Sequence, residues 1–456
     1  MIKKIIYFIF ICMLLTSCSG FLNVKPQGKV IPQTDEEFAA IMHNRINDIE
    51  GGYDEYVLGN MDVISRREGC ADDLDANIKT GRMTAYAGDV INQRQTDYRE
   101  TFEIIRDCNI VIENMEGRTT TLASDVLAAA YAMKGICYYN LIRDFCDAWD
   151  ADDSHNQMGL PLVEKFDIKD IPVRASLAAT AKYTEDLLKK SLSEKMSDGR
   201  FFFTESVVKA YLARLYFWIE DWDNVISLCS DMIANSGLAL TPPEEYATMI
   251  QADKAALGEV ITRSHINDAS ELDWYFASVK GFVASRPASA SLRSLFDKEN
   301  DVRYAASFND KLCNAKAPEC RIRLSEIVLM LSEAYCHIND SDNALKWLNE
   351  LRRHRIRGVA DLTEDTLPEL RTGNRIVEDA EGDGLTPLMQ AILDERRREL
   401  CLEGDRWFEL KRNGSPEWWV ISSGLKYTTK KYMYTAPIYK GDVDLNPDLK
   451  QNPGYE

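Results

Sequence analysis

The stretch YFWIEDWDNVI, residues 216–226, recurs with changes as YCHINDSDNAL at residues 335–345. In each copy an apolar segment with helical spacing ends, an acidic turn follows, and a second apolar segment begins. Such units are typical of tetratricopeptide-type repeats, in which paired helices pack closely. An alternative interpretation is two unrelated helical hairpins that share common turn chemistry.

Helical periodicity extends over most of the chain. A first helix is predicted to begin at Asp35, because Thr34 and Glu37 form a capping-box pattern. We therefore predict a mainly α, tetratricopeptide-like helical-repeat scaffold at residues 35–236 and 320–412 of a single domain that spans residues 35–456. The other long helices are predicted at residues 98–115, 122–145, 183–192, 206–219, 223–233 and 387–402.

The segment between the two halves of the scaffold, residues 237–318, has a different composition. Several prolines and glycines interrupt it, and it contains short β-prone runs such as residues 259–262. We predict an irregular, variable insertion that contains short strands. Long loops on a rigid scaffold often carry binding residues, so ligand contacts are expected here.

The N-terminus fits a bacterial lipoprotein signal. Two lysines precede an apolar run over residues 5–15, which is too short for a membrane-spanning helix of about 20 residues. The tetrapeptide LTSC, residues 15–18, resembles a lipobox. We predict a signal peptide at residues 1–17, lipidation of Cys18, and a lipidated tether at residues 18–34 that holds the protein on a membrane. The alternative is an ordinary signal peptide with a chance cysteine.

Composition and missing motifs exclude several function classes. The formal net charge of −19 disfavours nucleic acid as a partner, because an acidic surface repels phosphate backbones. The sequence contains no P-loop, dinucleotide-binding, HExxH or CxxC pattern, so we predict no cofactor and no metal. Nine cysteines follow Cys18, and of these Cys313 and Cys320 are close enough in sequence to pair across a loop.

Several motifs occur in an order that matches one known protein family. They are ILDERRRELCLEGDRWFELKR at residues 392–412 and LNPDLKQNPGY at residues 445–455. Upstream motifs lie in the predicted helix pairs around residues 138–163 and 323–352. Together they resemble the SusD/RagB family of nutrient-binding outer-membrane lipoproteins, over essentially the whole chain.

The resemblance implies both a fold and a partner. It implies about four tetratricopeptide-like helix pairs and a SusC-like TonB-dependent transporter, on which the protein acts as a hinged lid and delivers its ligand. The ligand of the family is commonly an oligosaccharide and sometimes a peptide. The implied location is the outer membrane, lipid-anchored and facing the cell exterior, although the residues after Cys18 lack an acidic export-type cluster.

Aromatic and polar residues mark candidate ligand contacts. Trp274, Tyr275 and Phe276 lie in the predicted insertion, where exposed rings could stack on the apolar faces of sugars. The alternative is a strand with one ring buried and one exposed. Arg67 and Tyr86 are weaker candidates on similar grounds.

The acidic loop at residues 72–75 is a second candidate ligand-binding segment. Its Asp73 and Asp75 could accept hydrogen bonds from sugar hydroxyls or bind calcium. The alternative is a solvated turn.

Paired carboxylates raise the question of catalysis. Glu395 and Glu399 lie one helical turn apart, as in a glycosidase acid/base pair, but the arginines around them favour a structural ion-pair network. For Trp418 and Trp419 we predict core packing.

We predict a non-enzymatic glycan-binding lipoprotein; the alternative is a lid or scaffold with a peptide ligand or no glycan site of its own.

Overall fold

The computed structural model describes residues 32–82, 84–167, 169, 171–251, 258–263, 281–316 and 319–455. Its architecture is mainly α, with six short strands in three antiparallel pairs among these residues. The α-helices are α1 (Asp35–Glu50), α2 (Met61–Cys70), α3 (Ala87–Val90), α4 (Gln95–Met115), α5 (Thr121–Phe145), α6 (Leu177–Ser193), α7 (Glu205–Trp218), α8 (Trp222–Asn235), α9 (Tyr246–Gln251), α10 (Ala290–Arg293), α11 (Val302–Ser307), α12 (Leu324–His337), α13 (Ser341–Arg353), α14 (Pro387–Glu399), α15 (Arg406–Arg412) and α16 (Lys440–Leu445). The strands are β1 (Met158–Pro161), β2 (Arg174–Ser176), β3 (Val260–Arg263), β4 (Arg321–Arg323), β5 (Trp418–Ser422) and β6 (Leu425–Thr429).

Successive helices pack side by side. Helix α5 lies between α4 and α6, α7 packs on α8, and α12 packs on α13 and α14. Helix α8 also packs on α12, although the two are far apart in the chain. The residues between them therefore leave the scaffold and return to it, as expected for an insertion. This arrangement confirms the predicted helical-repeat fold class with an irregular insertion.

The predicted capping box is present at the start of α1. The Thr34 side chain accepts the backbone N–H of Glu37 at 3.3 Å, and the Glu37 carboxylate accepts the backbone N–H of Thr34 at 3.1 Å. Both bonds satisfy N–H groups that a helix leaves unpaired at its first turn. The sequence prediction is confirmed at this position.

The two repeated turns have the same backbone geometry. Glu220 and Asn339 both adopt a positive φ, of 59° and 61° respectively. The next residue in each turn, Asp221 or Asp340, caps the following helix by accepting the backbone N–H three residues later, at 3.3 and 3.1 Å. The repeated sequence therefore encodes the same local structure in both hairpins.

The insertion contains the predicted strand. β3 covers residues 260–263 and pairs antiparallel with β4, which directly precedes α12. Val260 packs with Tyr246, Ile250 and Val302 in a small separate core. The insertion is thus attached to the scaffold through a two-stranded ribbon and its own apolar cluster.

A buried ion-pair network joins the insertion to helix α14. Glu399 on α14 lies within 3.2 Å of side-chain nitrogens of Arg303, Arg323 and Arg355. Glu395 pairs with Arg303 at 2.7 Å and also with Arg398. The ion-pair interpretation of these two carboxylates is confirmed. Burial raises the pKa of Glu395, but the surrounding arginines outweigh burial and lower this pKa to about 2.

The strands β5 and β6 form a hairpin whose two faces differ. Trp418 is buried, with 5% of its surface exposed, as predicted. Trp419 is 54% exposed, so the prediction of core packing is wrong for this residue. Successive side chains of a strand point to opposite faces, which explains why the two neighbours differ.

The structure also describes the cysteines and the length and polarity of the helices. Within the described part of the chain no disulfide joins any of the nine cysteines after Cys18, so Cys313 and Cys320 are not paired with each other. Among the described residues, no helix combines the length and apolar character that crossing a bilayer requires.

Candidate functional site

The acidic loop and the insertion meet on one surface. The backbone N–H of Asp75 donates to the carbonyl of Pro287 at 2.8 Å, and that of Ile78 donates to the carbonyl of Ser285 at 3.0 Å. The Asn77 amide donates to the Ser285 hydroxyl at 2.7 Å. These bonds hold the loop after α2 against residues 281–288, which directly follow residues 264–280 in the chain.

We call this surface the insertion face and define it by Asp75, Asn77, Tyr86, Phe282 and Arg286. None of these five side chains is fully buried. The Arg286 guanidinium lies 4.0 Å from the centroid of the Phe282 ring. The face therefore offers apolar rings, hydrogen-bond donors and acceptors within one region.

Tyr86 packs against the β5–β6 hairpin. Its ring packs edge-on against Tyr427, with 5.6 Å between centroids and an interplanar angle of 61°. Its hydroxyl donates to the carbonyl of Thr428 at 3.3 Å. The ring is thus held in place while part of it stays exposed, a combination that suits a stacking residue.

Arg286 carries a guanidinium with no carboxylate within salt-bridge distance among the described residues. Burial lowers its pKa, the nearby Arg82 lowers it further, and Asp89 raises it. Its side chain is therefore available as a donor toward a bound hydroxyl or acid group at this face.

The structure places Asp73 inside the protein. Its carboxylate accepts hydrogen bonds from Arg397 Nε and Nη2 at 2.9 and 2.6 Å. The neighbouring Asp72 accepts hydrogen bonds from Arg406 at 2.8 Å and Arg375 at 3.2 Å. Burial raises the pKa of Asp72, but the arginines outweigh it and hold this pKa far below its usual range. The solvated-turn interpretation is therefore wrong for these two residues.

Arg67 does not lie on the insertion face. Its guanidinium stands 4.8 Å from the centroid of the Phe408 ring and lines an internal cavity of the scaffold. Asp75 is joined to residue 287 by its backbone, and Tyr86 follows Ala85, which packs with Leu74 and Val283 in one apolar cluster, so these two candidates lie on neighbouring segments. Cys18, Trp274, Tyr275 and Phe276 lie outside the described residues, and their roles stay predictions.

A cleft of about 940 Å³ lies elsewhere on the described part of the chain, and the sequence analysis did not predict it. The rings of Trp149 and Tyr432 and the carboxylates of Asp150, Glu220 and Glu381 contribute to its lining. Burial raises the pKa of Glu220 to about 7. The acidic run after α5, which contains Trp149, was the available signal, but it resembles an ordinary loop in the sequence.

The described residues bear on two kinds of chemistry, namely acid/base catalysis by paired carboxylates and metal binding. Glu395 and Glu399 are fully buried among arginines and do not face a cleft, so they cannot serve as an acid/base pair. Among the residues described, no group of three or more His, Cys, Asp or Glu side chains has the arrangement of a metal site.

A family model and a related protein sequence both point to the same protein family. Residues 302–455 match the model of the SusD family. A SusD-like protein from Formosa agariphila is 18% identical over an alignment that covers 100% of this chain and 99% of that protein.

Solved structures share the fold over most of the chain. A putative sugar binding protein from Bacteroides vulgatus has a TM-score of 0.71 and 22% identity, and the match covers 94% of this chain and 100% of that one. A SusD superfamily protein from Bacteroides thetaiotaomicron has a TM-score of 0.69 and 20% identity, with coverage of 92% and 100%. A SusD-like carbohydrate binding protein from Bacteroides vulgatus has a TM-score of 0.67 and 18% identity, with coverage of 92% and 98%. The predicted resemblance to the SusD/RagB family is confirmed, and these structures show the fold.

Proposed function

We propose that this SusD/RagB-type chain is a lipid-anchored protein of the outer cell surface that binds an oligosaccharide. It delivers the ligand to a SusC-like TonB-dependent transporter in the same membrane. Two of its structural relatives are described as sugar binding or carbohydrate binding proteins, which supports a glycan as the ligand. In this proposal Cys18 carries the lipid, and residues 18–34 connect it to the fold.

The observation that carries the proposal is the meeting of the residue 72–78 loop with residues 281–288. It holds Asp75 beside residues 281–288, and the predicted aromatic residues Trp274, Tyr275 and Phe276 precede those residues in the sequence. Sugar rings present apolar C–H faces that stack on aromatic side chains, while their hydroxyls need polar partners. The insertion face supplies both kinds of group.

Binding at this face needs no covalent step. In the proposal Tyr86 and the predicted aromatic cluster hold the sugar faces, Asp75 accepts hydroxyl hydrogens, and Arg286 donates to hydroxyl or carboxyl oxygens. The alternative function is a lid or scaffold on the transporter with a peptide ligand or no glycan site of its own. The large cleft around Trp149 is the alternative position for a glycan site.

A thermal-shift screen of residues 19–456 against host, plant and microbial glycans and peptides tests the proposal. A ligand that binds only the folded protein raises Tm by mass action, so weak binders become visible at high concentration. One glycan class is expected to raise Tm, and calorimetry then gives its Kd. If no glycan raises Tm while the transporter still binds the protein, the lid function replaces the proposal.

Three matched tryptophan substitutions locate the site. Trp274→Ala is expected to weaken glycan binding by tenfold or more, because the stacking of a nucleobase on an aromatic ring is worth about 1–3 kcal/mol and we expect a similar contribution from a sugar face. Trp149→Ala tests the cleft, and Trp419→Ala removes an exposed ring on the outer face of the β5–β6 hairpin. Loss of binding in Trp149→Ala alone would move the site to the cleft. Tyr86→Ala should follow Trp274→Ala if the insertion face is correct.

A further inference from the structure

A polar cavity of about 60 Å³, partly open to the surface, lies between helices of the scaffold. Residues of α2, α4, α5 and α7 line it, together with the turn that precedes α15. The volume is enough for roughly four to six water molecules, or for one small anion with part of its hydration. The lining is rich in charged side chains, and their pairing differs between the two ends of the cavity.

At one end the charges are well matched. Arg66 lies 2.9 Å from Glu55, 2.8 Å from Asp97 and 3.2 Å from Asp62. A guanidinium surrounded by three carboxylates has no need of a further anion. This end of the cavity is complete without a ligand.

At the other end two arginines have no acidic partner. Among the residues that the structure describes, neither Arg67 nor Arg143 has a carboxylate oxygen within 4.0 Å. Their guanidinium carbons lie 4.8 and 4.1 Å from the centroid of the same Phe408 ring. The Nε atoms of both are buried and have no hydrogen-bond partner. Arg94, which is also buried, leaves its Nη1 without a partner.

The carboxylates around this end are already engaged elsewhere. Asp144 pairs with Arg94, and Glu326 pairs with Arg214 at 2.6 Å. Asp405 pairs with Arg396 on α14, with 3.0 Å between the carboxylate oxygen and the guanidinium nitrogen. Glu403 pairs with Arg323 at 2.7 Å and with Lys316 at 2.8 Å. Burial raises the pKa of Asp144, but the charges of Arg94, Arg67 and Arg143 outweigh it and lower this pKa. These three guanidiniums therefore share one carboxylate and outnumber it at this end of the cavity.

We propose that Arg67, Arg94 and Arg143 form a binding site for a small oxyanion inside the scaffold. A buried guanidinium without a counter-ion is costly, and its planar N–H groups match the oxygen pairs of sulfate, phosphate and carboxylate groups. The electrostatics agree with this geometry: burial lowers the pKa of the Arg67 guanidinium more than Asp144 raises it, and Arg143 lowers it further.

The bound oxyanion has two possible sources, a free inorganic ion or the carboxylate of an acidic sugar. Thermal shifts of residues 19–456 in low-millimolar sodium sulfate, phosphate or glucuronate, each against sodium chloride of equal ionic strength, distinguish them. A site of this kind should raise Tm by roughly 2–3 °C at ten to a hundred times the Kd. A larger effect of glucuronate identifies the acidic sugar as the source, and a larger effect of sulfate or phosphate identifies the inorganic ion.

Arginine variants separate the site from general salt effects, since sulfate also stabilises proteins by exclusion from their surface. Arg67→Gln should abolish the anion-dependent shift, whereas Arg200→Gln, at a fully exposed arginine, should keep it. If Arg67→Gln does not fold, Arg67→Lys keeps the charge, loses the fork of donors, and should reduce the shift.

Crystals soaked in selenate give a second, independent readout. An anomalous peak between Arg67 and Arg143 is expected. The proposal is overturned if the wild-type protein shows no shift beyond the chloride control, or if the electron density in the cavity contains water alone.

Discussion

Arg355 Nε donates a hydrogen bond to Glu399 Oε2 at 2.9 Å, and both side chains are completely buried. Arg303 and Arg323 approach the same carboxylate at 3.0 and 3.2 Å. Glu399 belongs to α14, whereas Arg303 belongs to α11, Arg323 to β4, and Arg355 follows α13. One carboxylate therefore connects α14 to the insertion, to the strand that follows it and to the last repeat hairpin.

Replacing this carboxylate should destabilise the whole domain. Glu399→Gln keeps the size of the side chain but leaves three buried guanidiniums with too little negative charge. Removing one member of a buried ion-pair network costs about 3–5 kcal/mol. We expect a loss of this size in the free energy of unfolding, measured by urea denaturation followed by circular dichroism.

An exposed glutamate provides the control for this substitution. Glu369 lies on a surface loop and forms no ion pair among the described residues. Glu369→Gln should change the free energy of unfolding by less than about 0.5 kcal/mol. Equal effects of the two substitutions would contradict a central role for Glu399.

Glu68 should make stability depend on pH in the neutral range. Its carboxylate is buried on α2 and, among the described residues, accepts only the backbone N–H of Gly404, at 2.8 Å. Burial, with a further contribution from Asp73, raises its pKa to about 8. An acid whose pKa is raised in the folded state stabilises the protein below its unfolded pKa, and this stabilisation is lost as pH rises through the folded value.

Glu68→Gln should remove that dependence. Between about pH 4.5 and 8 the wild-type protein should lose up to about 1.4 kcal/mol per pH unit relative to the variant, because one proton is involved. The glutamine still offers an acceptor to Gly404. Urea midpoints at several pH values measure the difference, and parallel curves for the two proteins would exclude a raised pKa at this position.

Local features of the fold could be predicted from the sequence, because neighbouring residues determine them. The capping box of Thr34 and Glu37 and the two acidic turns depend on hydrogen bonds between residues three positions apart. The ion-pair role of Glu395 and Glu399 was also predictable, since arginines surround them in the sequence. Their actual partners were not, because Arg303 and Arg355 reach them only through the tertiary fold.

The candidate site was harder to predict for the same reason. Asp73 and Asp75 are two residues apart, yet Arg397 holds one inside the protein and the other lies at the insertion face. No local pattern distinguishes them. The cleft around Trp149 brings together residues from six separate parts of the chain, so only the folded structure reveals it.

The equivalence of the two turns predicts equal mutational costs. Asp221→Ala and Asp340→Ala each remove a helix N-cap acceptor in the same geometry. Each should lower the free energy of unfolding by about 1 kcal/mol, and the two values should agree within about 0.5 kcal/mol. Asp340→Asn keeps an accepting oxygen and should cost much less; a full loss in this variant would show that charge, not capping, is what Asp340 contributes.

The two neighbouring tryptophans of β5 should respond in opposite ways to truncation. Trp418 is buried beneath Arg375, whose guanidinium lies 4.7 Å from the ring centroid, so Trp418→Ala should cost about 3–5 kcal/mol. Trp419 is more than half exposed, beside the equally exposed Ile421. Trp419→Ala should change stability by less than about 1 kcal/mol. Unfolding midpoints of both variants measure the contrast. A large cost for Trp419→Ala would mean that its face of the hairpin is covered, and the same variant would then no longer serve as a neutral control for glycan binding.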